Sequence, residues 1–422
     1  MSTDVHDGGA AAGLADAGLA DAGLADAGRI TEIRTYRWDE QPNCLWVEVE
    51  TASGIVGLGE TFYQARAVES VIHDMVAKLL INESAELRNK HAWNLFACAN
   101  FSGYAGAEMR AFSAIDIALW DIAGQLLSRP IHALLGGRVR DSIAIYSSCA
   151  DAGMYEDSTR SWEDPAGLAR ELLAGGITAM KIWPFDRFAP QIDAGFVTGP
   201  AGWSAMGPPG SYISARNLEA GIAGIQQIRD AVGNEMEIII EGHSRWDVNA
   251  ALRILHALEP YDILWVEDII QPDSVGDLRR LAQESRVPQA VSERLFTRYA
   301  YRDVLEMNAA RIVMLDVAWT GGITESARIC DLADTYHLPV APHDCTGPVT
   351  AFANLHLCAA KTNIITTETV RGFVDGYYEE VLDSRLPIHR GQATFPTRPG
   401  LGAALKDGFK SRSDVHVMRS TG

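Results

Sequence analysis

From residue 29 onward the apolar positions fall first into the rhythm of strands. Residues 30–37 alternate loosely and 44–50 (CLWVEVE) closely, so each segment has one apolar face and reads as a strand of an antiparallel meander. Gly54, Gly57 and Gly59 then read as a turn, with Glu60 behind them. Between 65 and 125 the period lengthens to that of a helix. Within 109–127, Ala114, Ala118 and Ile122 share one stripe, with Ile115, Leu119 and Leu126 beside it, and Arg129-Pro130 stops the run. Residues 29–140 therefore predict a small α+β domain.

After Asp141 the pattern becomes strand, loop, helix, repeated. Apolar strands are expected at 143–146, 178–182, 236–240, 263–266, 289–291, 311–315, 338–341 and 363–366, with helices such as 218–232, 248–258 and 323–336 between them. Short buried strands alternating with helices predict an α/β fold with a parallel sheet, and eight of them predict closure into a barrel over 141–369. Residues 370–422 lack this rhythm and are expected to return to the first domain. The connection between Trp183 and Asn217 is rich in proline and glycine and follows a strand. Its length predicts a lid or binding loop at the carboxyl face of the barrel. At the other end, Ala-Gly-Leu-Ala-Asp runs three times between Ala12 and Asp26. Repeated glycine and the near absence of β-branched and aromatic residues make 1–28 a low-complexity leader, expected to be disordered.

Composition narrows the function. With 36 basic and 55 acidic side chains the formal charge is −19, which repels phosphate backbones and argues against a nucleic-acid binder. No apolar run approaches the roughly 20 residues of a membrane span. The six cysteines (Cys44, Cys98, Cys149, Cys330, Cys345 and Cys358) include no C-x-x-C pair and read as reduced, and no signal peptide is evident, so the cytoplasm is the expected compartment. A chain this negative needs a local cation to hold an acidic substrate.

The candidate chemistry sits at the strand ends. Glu241, Glu267, Glu293, Asp316, His343 and Glu368 follow successive strands at intervals of 26, 26, 23, 27 and 25 residues, one β/α unit each, so a closed barrel brings them to one mouth. Carboxylates 241, 267 and 293 would repel one another without compensation. Three oxygen donors with open positions suit a hard divalent ion, Mg²⁺ first and Mn²⁺ second. The alternative is that Lys181 and Arg294 pair with them. Asp316 beside His343 would fix the tautomer and raise the basicity of a general base. Asp344 should point the other way, and Asp268 reads as a helix cap or a supporting residue. Lys181 and Trp183 share one strand face, the lysine able to bond a substrate carboxylate or a metal ligand and the indole forming a wall. His243 also faces inward, to contact substrate or simply to pack. Glu368, if protonated in so acidic a site, could donate a proton. Specificity is expected from segments 38–43 and 61–63, Tyr63 included, and from the long loop.

Gly57-Leu58-Gly59-Glu60, the run Ala114-Ile115-Asp116-Ile117-Ala118-Leu119-Trp120-Asp121-Ile122-Ala123-Gly124, Pro130, Leu134-Leu135-Gly136-Gly137 and the six strand ends together resemble the mandelate racemase/muconate lactonizing branch of the enolase superfamily over about 29–405. The resemblance implies a modified TIM barrel, (β/α)7β, with an α+β capping domain built from both ends of the chain. It also implies one Mg²⁺ on Glu241, Glu267 and Glu293, the base pair Asp316–His343, Glu368 as the acid of the last strand, and self-association into a homo-oligomer. The chain departs in having Glu241 where many members have aspartate. It also has Lys181-Ile182-Trp183 in place of Lys-x-Lys, which removes the outer lysine base. Loss of one of two facing bases disfavours racemisation and leaves β-elimination intact. The expectation is removal of a proton α to the carboxylate of a small substrate through an enediolate, and dehydration of a sugar acid to a 2-keto-3-deoxy acid. An epimerase, racemase or cycloisomerase using Lys181 as second base is the alternative, and a non-catalytic metal-binding ligand sensor the alternative from another class.

Overall fold

Alternation at the start of the chain produces three antiparallel strands, β1 (Ile30–Trp38), β2 (Gln41–Thr51) and β3 (Val56–Phe62), in a computed structural model that describes residues 27–191 and 208–422. The repeats of the leader and much of the long connection after Trp183 lie outside the described residues. The predicted helical run is three pieces: a helical stretch over 65–80, α1 (Arg88–Cys98) and α2 (Gly106–Leu126).

Gly57 and Gly59, expected in a turn, lie inside β3. They are there because α2 presses on the strand: a Cβ on Gly59 would stand 1.8 Å from the Ala114 carbonyl oxygen, and one on Gly57 2.1 Å from that of Ala118. Gly59→Ala must therefore push the helix off the sheet. We expect a loss of about 1–3 kcal/mol by chemical denaturation, and an unchanged midpoint would contradict this packing.

The second rhythm builds β4 (Ile143–Ser148), α3 (Pro165–Ala174), β5 (Ala179–Ile182), α4 (Ala215–Val232), β6 (Glu237–Glu241), α5 (Val248–Leu258), β7 (Trp265–Glu267), α6 (Val275–Glu284), β8 (Gln289–Val291), α7 (Thr297–Glu306), β9 (Ile312–Leu315), α8 (Gly322–Thr335), β10 (Val340–Pro342), α9 (Pro348–Ala360) and β11 (Thr367–Thr369). Each strand from β4 to β10 pairs in parallel with the next, and β11 pairs in parallel with β4. A parallel bridge from Val340 to Ile364 spans the remaining gap. This is a modified TIM barrel, (β/α)7β. Its interior is filled by Tyr146, Ile239, Trp265, Ala290, Ile312, Met314 and Ala341. The last strand begins at Thr367, beyond the expected 363–366. It consists of Thr-Glu-Thr, buried but polar, and so carries no hydrophobic signal.

The tail returns twice. A hairpin over 388–393 adds to β4, and β12 (Val415–Thr421) pairs antiparallel with β1 from Glu32↔Thr421 to Trp38↔Val415, so the capping sheet runs β12-β1-β2-β3. Among the described residues no helix is long and apolar enough to cross a membrane.

Candidate active site

Parallel register brings the strand ends to one rim. Glu241 and Glu267 close β6 and β7 as cross-strand partners, and Glu293 follows β8 by two residues. All three are buried, as are Lys181, Glu368, Asp316 and His343. Lys181 Nζ on β5 lies 3.2 Å from Glu241, 2.7 Å from Glu267 and 2.7 Å from Glu368. Burial alone would lower its pKa, but Glu267 and Glu368 raise it well above the ordinary lysine value, so the amine stays an ammonium. Arg294 Nε lies 3.2 Å from Glu293 Oε1 and 3.6 Å from Asp268.

Asp268 does not cap a helix, since Ser274 caps α6. Instead Ser292 Oγ donates to its Oδ2 at 2.5 Å, and the carboxyl faces Glu293. Burial and the neighbouring carboxylates push Glu267 and Asp268 well above the usual range, so this rim holds more negative charge than its resident cations cover.

His343 is the second centre. Its Nδ1 lies 2.7 Å from Asp316 Oδ2, while Asp316 Oδ1 accepts the Ala318 N–H at 2.7 Å. This places the proton on Nδ1 and leaves Nε2 as the basic nitrogen, 3.7 Å from Glu368. Burial would lower the imidazole pKa, but Glu368, the bond to Asp316 and the charge of Glu293 raise it to about 9. Glu368 itself is opposed by burial, yet Lys181 and His343 hold it below the usual carboxylate range. Donation from Glu368 would need the protonated acid, and an ammonium at 2.7 Å works against that form.

The rim is aromatic. Trp183 meets the His243 ring edge-on at 5.6 Å, and His243 Nδ1 lies 2.5 Å from Asp186 Oδ2 while its backbone N–H donates to Glu241. From the capping domain, Tyr63 lies 5.5 Å from Trp319, whose ring is 5.2 Å from His343 and is covered by the Arg110 guanidinium at 4.5 Å. Asp186 and Trp319 escaped the sequence reading. Each lies shortly after the carboxyl end of a strand, β5 and β9, which is the signal that could have found them.

The donor chemistry of Glu241, Glu267 and Glu293 suits a divalent cation: three buried carboxylates in excess of local positive charge, with Glu293 Oε2 buried and without a hydrogen-bond donor. The side chains are not closed into a cage. Among the described residues no group of three or more His, Cys, Asp or Glu is arranged to hold a metal ion, and Glu241 and Glu267 each turn an oxygen to Lys181.

Residues 36–136 match the mandelate racemase/muconate lactonizing enzyme N-terminal domain, and 164–408 the enolase C-terminal domain-like family. The chain belongs to the enolase superfamily, in its mandelate racemase/muconate lactonizing branch. Dehydratases of a sugar acid, which are hydro-lyases, are among its relatives in that branch. It is 30% identical over 395 residues to a D-galactonate dehydratase of Ralstonia nicotianae, covering 91% of this chain and 95% of that one. It is 31% identical over 386 residues to the D-galactonate dehydratase of Pectobacterium atrosepticum, covering 90% and 92%. An enolase of the mandelate racemase subgroup from Agrobacterium tumefaciens has a structure with TM-score 0.83 and 39% identity, covering 93% of this chain and 99% of that one. The enolase superfamily is metal-dependent.

Proposed function

We propose that this superfamily member dehydrates a sugar acid to its 2-keto-3-deoxy acid in a Mg²⁺-dependent reaction, with His343 as the base. The observation that carries the reading is the buried imidazole held by Asp316 across the rim from three carboxylates. Glu241, Glu267 and Glu293 would hold the cation, which supplies positive charge against the substrate carboxylate as the dianion develops.

His343 Nε2 takes the C2 proton, and the ammonium of Lys181 keeps neighbouring carboxylates in place and adds to the positive field. The C3–oxygen bond then breaks, and His343 returns its proton to the departing hydroxyl, so that water leaves and the enol collapses to the keto acid. His243, oriented by Asp186, stands where it can bond a substrate hydroxyl. Trp183 and Tyr63 form apolar walls that limit water. The relatives' substrate makes an aldonate such as D-galactonate the first compound to try.

Epimerisation would need a second, neutral base, and Lys181 surrounded by three carboxylates is held charged. Incubating a panel of mono- and diacid sugars with the protein and Mg²⁺ in D₂O separates the readings. We expect a 2-keto acid from at least one aldonate. Deuterium at C2 of recovered substrate without keto acid would mean an epimerase, and binding without exchange a sensor.

A further inference from the structure

Two of the motifs that carry the family resemblance, Gly57–Glu60 and the run 114–124, have no part in the chemistry above, yet their carboxylates are buried. The barrel helices show where they act. Helices α3, α4, α5 and α6 are each capped by the residue just before them, Asp164, Ser214, Asp247 and Ser274. Helices α7, α8 and α9 have none of their own: Glu325 of α8 accepts the Arg298 N–H at 2.8 Å in the first turn of α7, and that leaves α8 and α9, which follow the strands leading to Asp316 and His343.

The capping domain supplies both. Asp116 on α2 accepts the Thr324 N–H at 2.8 Å and its hydroxyl at 2.6 Å, in the first turn of α8. Glu60 on β3 accepts the Thr350 N–H at 3.0 Å, its hydroxyl at 2.8 Å and the Val349 N–H at 3.3 Å, in the first turn of α9. Both helix starts are shaped for the intruding carboxyl. A Cβ on Gly322 would lie 2.4 Å from Asp116, and one on Gly347 2.4 Å from Glu60. Further bonds from the same domain fix the loop after Asp316: Thr61 Oγ1 donates to the Ala318 carbonyl at 2.8 Å, and Gly321 N–H donates to Ser113 Oγ at 2.9 Å. On the other side, Asn354 of α9 donates to the His343 carbonyl at 2.9 Å.

We infer that Glu60 and Asp116 are positioning residues that cap the two helices behind the Asp316–His343 pair from another domain, so that docking of the capping domain sets the geometry of the base. The inference rests on the reading of His343 as the base. Asp121 provides an internal control: it is equally buried on the same helix, but its oxygens accept from Leu58 and Leu401, away from both loops.

The test compares Glu60→Leu, Asp116→Leu and Asp121→Leu in the full-length protein. The readouts are melting temperature, kcat and KM on the aldonate turned over, and the His343 Nδ1–H resonance by NMR. A displaced base predicts a fall in kcat of about 10–100-fold for the first two variants, with little change in KM. The imidazole signal should shift, and Glu60→Gln and Asp116→Asn, which keep one acceptor oxygen, should recover part of the loss. Asp121→Leu should lower only the melting temperature. Should a leucine variant fail to fold, Thr350→Val, which removes the hydroxyl bond to Glu60, should show the same shift in smaller degree, as should Thr324→Val, which removes the bond to Asp116 together with the one that its hydroxyl accepts from Trp120. Variants at 60 and 116 that behave like Asp121→Leu, with kcat and the resonance of His343 unmoved, overturn the inference. His343→Asn with full turnover would instead overturn the reading of the base, and the NMR arm would still decide the positioning.

Discussion

Replacing His343 by asparagine is expected to remove at least ~10²-fold of kcat while leaving the fold intact, because the amide can keep the bond to Asp316 Oδ2 but cannot accept a proton. The pH profile gives the claim a second edge. The base works only when neutral, and Glu368, Asp316 and Glu293 raise its pKa, so wild-type kcat/KM should climb with pH and level off no higher than about 9. A cation on Glu293 offsets part of that negative field and moves the limb down. The asparagine variant should lose the limb altogether. Activity within tenfold of wild type, or an unchanged limb, would remove His343 from its role.

Lys181→Met should be the most destabilising single change in the barrel. The ammonium holds three buried carboxylates at 2.7–3.2 Å, and methionine of similar length leaves them facing one another. Breaking a buried pair in this way costs about 3–5 kcal/mol. The cost should be largest at pH 8, where the carboxylates are charged, and should shrink toward pH 5 as they take up protons. Mg²⁺ should restore more stability to this variant than to wild type, since the competing cation is gone. Denaturation curves at the two pH values, with and without Mg²⁺, check both points. A loss under about 1 kcal/mol, insensitive to pH, would mean that the lysine is not what holds this cluster.

The sequence made the barrel legible because buried parallel strands are continuous apolar runs, and a β/α unit has a narrow length. Hence the regular spacing from Glu241 to Glu368 survives as one rim. The signal failed where burial is polar or contact is long-range. Strand β11 is Thr-Glu-Thr, and Gly57 and Gly59 look like turn residues until α2, more than 50 residues away, is laid across them. Single-strand reasoning also has no access to ion pairing across the barrel. It left Lys181 an undecided neighbour and allowed Glu368 a proton, whereas their 2.7 Å contact favours the charged form of each. Asp186, which orients His243 from the start of a single 3-10 turn, and Trp319, which covers His343 from a loop, stand where no period announces them.

The most direct test of the account is the position of a bound divalent ion. In crystals grown with Mn²⁺ in place of Mg²⁺, anomalous scattering should place one ion within about 2.5 Å of oxygens of Glu241, Glu267 and Glu293, with Lys181 drawn back from Glu241 and the imidazole of His343 facing the same cavity. An empty rim at millimolar Mn²⁺ with the lysine still seated among the three glutamates, or an ion bound elsewhere, would contradict it.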